Sequence, residues 1–130
     1  MSESVTPKKV KILLVEDNEL NQKFALAVLK RLGYVTDVAK NGLVALELIQ
    51  ANKYDLVLMD IQMPEMNGIE ATLAIRKLEA ANIIERVPII AVTAFAMEHD
   101  RRNCFDAGMD DFLSKPFKPA ELELKIKAFL

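Results

Sequence analysis

The stretch Asp55-Leu56-Val57-Leu58-Met59-Asp60-Ile61-Gln62-Met63-Pro64-Glu65-Met66-Asn67-Gly68 constrains this chain more than any other. Its apolar run shows no polar alternation, a pattern that suits a strand covered on both faces, as in a parallel sheet between two helix layers. The run stops at a carboxylate, Asp60, and Met63-Pro64 and Asn67-Gly68 then break regular structure. Open α/β sheets place their ligands off the carboxyl ends of such strands. Asp60 is therefore the first candidate for a reacting residue, and other strands are expected to aim their ends at it.

The rest of the chain fits that frame. Residues 10–15 (VKILLV) read as a first strand ending in Glu16-Asp17, with Asn18 as a helix N-cap. The next helix places Phe24, Ala25, Val28, Leu29 and Leu32 on one stripe, and Gly33 closes it. Residues 34–39 alternate and are more polar, so they form an edge strand. Asn41-Gly42 turns into a helix with Val44, Ala45, Leu48 and Ile49 inward. The third strand is 55–60, a helix covers 69–80, and 82–86 is irregular. Residues 87–93 (VPIIAVT) form a fourth strand with Pro88 near its start. A weaker helix spans 97–107, stopped by Gly108, and 111–114 is a short fifth strand. Lys115-Pro116 interrupts it, and Pro119 opens a last helix to residue 130. Alternating βα units with right-handed crossovers give a doubly wound parallel sheet with helices on both faces. The polar second strand at an edge favours the flavodoxin-like order 2-1-3-4-5.

The strand ends then gather on one rim: Glu16 and Asp17, Asp60, Thr93 and Lys115. Crowded carboxylates repel one another, so a divalent cation is the expected stabiliser. Hard oxygen donors without His or Cys point to Mg²⁺, which favours a phosphate oxygen as a further ligand. A Lys ammonium and a Thr hydroxyl suit phosphoryl oxygens. One carboxylate is left to act as nucleophile; Asp60, central and single, is the best candidate. Each residue alone has a structural explanation: Asp17 and Asn18 as caps, Asp60 and Lys115-Pro116 as turn residues, Thr93 as a strand residue. The coincidence on one rim favours function.

Composition narrows the classes. The 130 residues fit one domain, with 1–9 (MSESVTPKK) as a lead-in or linker and 10–130 as the folded unit. Lys+Arg 17 against Asp+Glu 19 offers no basic field, so direct nucleic-acid binding is not expected. Cys104 is the lone cysteine and His99 the lone histidine, which excludes an internal disulfide and zinc-type spacing. His99, flanked by charged residues, reads as solvated, and Cys104 and Phe105 fit an apolar stripe begun at Met97. The methionines after the first read as core filler or loop packing. No apolar run of membrane-spanning length or signal peptide is read, which favours a cytoplasmic chain. GxxxxGK[ST] and GxGxxG are absent, so no nucleotide cofactor is expected.

Together these residues resemble the receiver (response regulator) domain of two-component signalling. The matching pieces are residues 15–18, 58–64, 66–68, 92–94 and 107–116, and the wording of 16–33 and 97–116 looks most like receivers of hybrid sensor kinases and phosphorelays. The resemblance implies that a partner phosphohistidine, on a histidine kinase or histidine phosphotransfer protein, donates its phosphoryl group to Asp60. It implies Mg²⁺ held by Glu16, Asp17, Asp60 and the backbone carbonyl of Gln62. It gives Thr93 and Lys115 the phosphoryl contacts, Phe112 the role of an aromatic switch, and a cis peptide before Pro116. It also implies no stand-alone turnover enzyme, only promotion of its own phosphorylation and dephosphorylation.

Two departures stand out. Phe112 replaces the frequent Tyr, and Phe95 replaces a residue usually small or polar. With Gln62, Phe95 flanks the route of attacking water, and its bulk is expected to lengthen the phosphoryl lifetime; unchanged phosphate release in Phe95→Asn would count against this. Leu20, with Phe24 near it, is a candidate docking patch beside the rim; the helical stripe assigns Phe24 to the core, so Leu20 is the better candidate. By resemblance the output face comprises Met97, Arg101, Asp111 and Leu113. Two other readings compete: a haloacid-dehalogenase-type phosphatase, which wants an acid where Gln62 stands, and a binding-only module with an idle acidic rim.

Overall fold

The computed structural model describes residues 9–94 and 97–130. The strands are β1 (Lys11–Val15), β2 (Val35–Ala39), β3 (Leu56–Asp60), β4 (Ile89–Thr93) and β5 (Asp111–Ser114). Helices α1 (Glu19–Arg31), α2 (Gly42–Ala51), α3 (Gly68–Ala80), α4 (Glu98–Asp106) and α5 (Pro119–Lys127) alternate with them. The strands pair in parallel in the order β2-β1-β3-β4-β5, the arrangement expected from the sequence. The lead-in reading of residues 1–9 falls, apart from Lys9, outside the described residues, as does Phe95.

Two-residue periodicity splits the core into two layers. Ile12 and Leu14, Leu56 and Leu58, Ile90 and Val92, and Leu113 pack with α1 and α5 through Ala25, Val28, Leu29, Leu122 and Ile126. The alternate residues, Leu13 and Val15, Val57 and Met59, Ile89 and Ala91, and Phe112, face α2, α3 and α4. Every residue of β3 and β4 is buried, which explains why their sequences do not alternate. Each such side chain removed from water stabilises the fold by about 1.5–3 kcal/mol before entropy is counted.

Helix starts and stops are chemically specified. Asn18, Asn41 and Asn67 each accept a backbone N–H with the side-chain oxygen, and Glu70 completes a capping box with Asn67. Gly33, at φ +89°, closes α1 while the Tyr34 N–H bonds the Leu29 carbonyl at 3.0 Å.

Several expectations need correction. Phe24 is not core: it is 48% exposed, at the margin of a buried stripe made of Ala25, Val28 and Leu29. Met97 and Phe105 are exposed as well, because α4 is so rich in charge that only Cys104 of that helix is buried. Met97 is therefore neither core filler nor packed. Leu113 lies in the α1–α5 layer and is buried, so it cannot belong to an output face. β4 begins at Ile89 and not 87, since Pro88 has no N–H to donate; its carbonyl accepts from Val57 at 2.9 Å. The last helix ends at Lys127.

Arg76 knits the pole opposite the rim. Its guanidinium donates to the Gly108 carbonyl (2.9 Å), the Val87 carbonyl (2.8 Å), Glu79 (2.6 Å) and Asp110 (2.8 Å). The same two carboxylates accept the N–H groups of Val87 and Ile89. Arg76→Met would leave two carbonyls and two carboxylates short of a donor. The expected loss is about 2–3 kcal/mol, read as a drop in the urea midpoint without a change in slope.

Candidate functional site

The register puts the rim together. Val15 lies beside Met59, and Asp60 beside Val92, so Glu16, Asp60 and Thr93 occupy neighbouring positions where β1, β3 and β4 end. Thr93 pairs with Ser114, which places Lys115 next along the same rim, its N–H donating to the Thr93 carbonyl at 2.8 Å. The peptide between Lys115 and Pro116 is cis. α3 closes onto the site from below: Gly68 donates its N–H to the Ile61 carbonyl at 2.9 Å, just after Asp60.

Carboxylate oxygens of Glu16, Asp17 and Asp60 all lie within 4.8 Å of one another. The Lys115 ammonium sits 2.7 Å from Glu16 Oε1 and 3.5 Å from Asp60 Oδ2. Glu16 is held further by the Asn18 N–H at 3.2 Å, and the Gln22 side-chain amide donates to the Glu16 carbonyl at 2.6 Å. The Gln62 N–H donates to Asp60 Oδ1 at 3.3 Å. Asp17 is exposed, whereas Glu16, Asp60 and Thr93 are buried.

The electrostatics are unbalanced. Burial raises the Glu16 carboxyl, but hydrogen bonds with Lys115, Asp60 and the Asn18 N–H, together with the Lys115 charge, outweigh it, and Glu16 ends below the ordinary range. Asp60 moves the other way. Burial first, then the hydrogen bond and charge of Glu16, push it up to about 7 despite Lys115. Burial and the neighbouring Glu16 carboxylate thus disfavour the charged form of Asp60 more than Lys115 favours it. A divalent cation would relieve this, and a set of hard oxygen donors without nitrogen or sulfur fits Mg²⁺ better than zinc.

The sequence-derived rim residues, Glu16, Asp17, Asp60, Gln62, Thr93 and Lys115, are therefore neighbours. Phe112 is not on the rim. It is buried in the α2–α4 layer, with the Arg101 guanidinium 5.5 Å from its ring centroid. Asp111 accepts an ion pair from Lys125 at 3.0 Å. Leu20 is 76% exposed at the start of α1. The Lys115–Glu16 pair escaped sequence reasoning, which assigned one to phosphate and the other to metal; opposite charges on adjacent strand ends were the available signal.

The sequence model of the response regulator receiver domain matches residues 12–127. The chain belongs to that family. This receiver domain is 48% identical over 124 residues to hybrid signal transduction histidine kinase B of Dictyostelium discoideum; the match covers 89% of this chain and 6% of that protein. The chain thus spans a small part of that kinase. A solved receiver domain of a sensor histidine kinase from Pseudomonas aeruginosa, with a magnesium ion coordinated in its active site cleft, is 43% identical with a TM-score of 0.85. It matches over 94% of this chain and 98% of that one. The receiver domain of Ssk1 from Saccharomyces cerevisiae, crystallised with the histidine phosphotransfer protein Ypd1, is 33% identical with a TM-score of 0.87, over 93% of this chain and 88% of the other. Among the described residues, no helix of this receiver domain is long and apolar enough to cross a membrane.

Proposed function

We propose that this receiver domain accepts a phosphoryl group on Asp60 from a phosphohistidine of a histidine kinase or histidine phosphotransfer protein. The observation that carries the reading is the buried Asp60 carboxylate within a cluster of three acids, 3.5 Å from the Lys115 ammonium. An Asp60 oxygen attacks phosphorus, the P–N bond to imidazole breaks, and the imidazole nitrogen keeps the electron pair and takes up a proton. Lys115 exchanges its Glu16 partner for a phosphoryl oxygen, and the Thr93 hydroxyl donates to another. Glu16, Asp17, Asp60 and the Gln62 backbone carbonyl would hold Mg²⁺, and Glu16 becomes free for that set as Lys115 turns to the phosphoryl oxygen. Bound Mg²⁺ would supply charge neutralisation on the phosphoryl oxygens.

In this reading the domain promotes its own phosphorylation and dephosphorylation and is not a stand-alone turnover enzyme. It works in the cytoplasm, as a free regulator or as the cytoplasmic part of a hybrid kinase. Partner docking uses exposed Leu20 with the half-exposed Phe24 beside the rim. Output would pass through Met97, Arg101 and Asp111, with Thr93 and Phe112 coupling that face to Asp60 by a population shift. Residues 1–9 are assigned as a lead-in or linker to the folded unit 10–130. The test is incubation with a histidine phosphotransfer protein carrying phosphohistidine, in Mg²⁺. Transfer to this chain, abolished in Asp60→Asn, is expected; retention of the label on the donors tried, with the wild type, would contradict the reading.

A further inference from the structure

Phe24 and Phe117 have no part in the chemistry just described, yet they touch. Their ring centroids are 5.4 Å apart with planes inclined by 48°, a tilted geometry that aromatic pairs favour. Phe24 belongs to α1, which starts just after Glu16 and is tied to it through Asn18 and Gln22. Phe117 belongs to the connection between β5 and α5, two residues past Lys115. That connection is fixed at one end by the Lys115 N–H on the Thr93 carbonyl (2.8 Å) and at the other by the Lys118 N–H on Glu121 (2.8 Å). Phe117 is the packed side chain between these points. The aromatic pair therefore bridges the segments that carry both partners of the Lys115–Glu16 ion pair. Beneath the rings lies a mainly apolar cavity of about 40 Å³, walled by Leu14, Ala25 and Leu58 and reaching Glu16 and Asp60.

We propose that Phe24 is a positioning residue for Lys115: by packing on Phe117 it fixes the loop that presents the ammonium to Asp60. A half-exposed aromatic at the edge of a helix stripe adds little to the core, so its place is better explained by what it holds. Lysine is a point charge on a flexible stem, and its aim depends on a fixed root. Displacing such a group by an ångström can cost orders of magnitude in rate. The inference rests on the reading of Asp60 as the phosphoryl acceptor.

The experiment measures phosphoryl gain of the full chain by intact mass, with acetyl phosphate and Mg²⁺ both saturating, so that no partner docking enters. Phe24→Ala is expected to slow the gain by about fivefold or more, through the maximal rate and not the donor concentration dependence. Phe24→Tyr should restore it. Phe117→Ala should match Phe24→Ala, and the double variant should be no slower than either single, because the rings act as a unit. Leu124→Ala, exposed on α5, should keep the wild-type rate. Amide hydrogen exchange at Lys115, which needs neither donor nor metal, should quicken in Phe24→Ala; if that variant does not fold, Phe24→Leu replaces it. Wild-type rates in both single variants with unchanged Lys115 exchange would overturn the proposal, as would losses that multiply in the double variant. A wild type that gains no phosphoryl group would instead sink the acceptor reading itself.

Discussion

Gly68→Ala is expected to lower the melting temperature by about 10 °C, a loss on the order of 3 kcal/mol for a domain of this size. A β-carbon at position 68 would lie 2.2 Å from the Asp60 carbonyl oxygen and 2.9 Å from the Ile61 α-carbon. Both are backbone atoms at the end of the central strand, so no side chain can swing away to relieve the clash. Either α3 retreats, breaking the 2.9 Å bond from the Gly68 N–H to the Ile61 carbonyl, or the β3 end moves. The second response displaces Asp60. Phosphoryl gain should therefore fall along with stability. Thermal melts followed by circular dichroism would check this, and a melting temperature within 2 °C of wild type would contradict it.

Asp60→Asn should stabilise the metal-free protein at pH 8 and leave it nearly unchanged at pH 4. The Asp60 carboxyl sits at about 7 in the folded chain against 3.8 as a free side chain. Between those values the folded state binds more protons than the unfolded one, so stability falls as pH rises, and the loss is complete above pH 7. At about 1.4 kcal/mol per pKa unit the penalty is on the order of 4–5 kcal/mol, which asparagine avoids by being neutral throughout. Glu16 carries the opposite sign. Its depressed value contributes stability above its unfolded value of 4.5, lost as pH falls through the folded one. Mg²⁺ is expected to close the gap at pH 8 by stabilising the wild type and not the variant. Equal melting temperatures for the two proteins at pH 8 without metal would contradict this electrostatic account.

What could be read from the sequence follows physical range. The strand faces were legible because burial on both sides leaves a run such as residues 56–59 without alternation, a signal carried by adjacent residues. The rim was legible because each member stands at a strand end, and parallel topology brings such ends together. Phe24 was misplaced because a helix stripe has soft edges: one position decides between core and margin, and packing of α5 and Phe117 sets that edge. Leu113 was misplaced because a fifth strand at the sheet edge still has a helix on each side, so neither of its faces is free. Gly68 looked like a loop breaker, yet its service is a close approach visible only once α3 meets β3. Arg76 could not be singled out at all. Its four partners come from α3, the segment before β4 and the segment before β5, and only the fold unites them.

The most direct test of the central claim is intact mass after incubation with acetyl phosphate or phosphoramidate, with and without Mg²⁺, for wild type and Asp60→Asn. The account predicts a single phosphoryl gain in the wild type that requires Mg²⁺ and is absent in the variant. A gain that persists in Asp60→Asn, or no gain in the wild type with Mg²⁺ present, would contradict it.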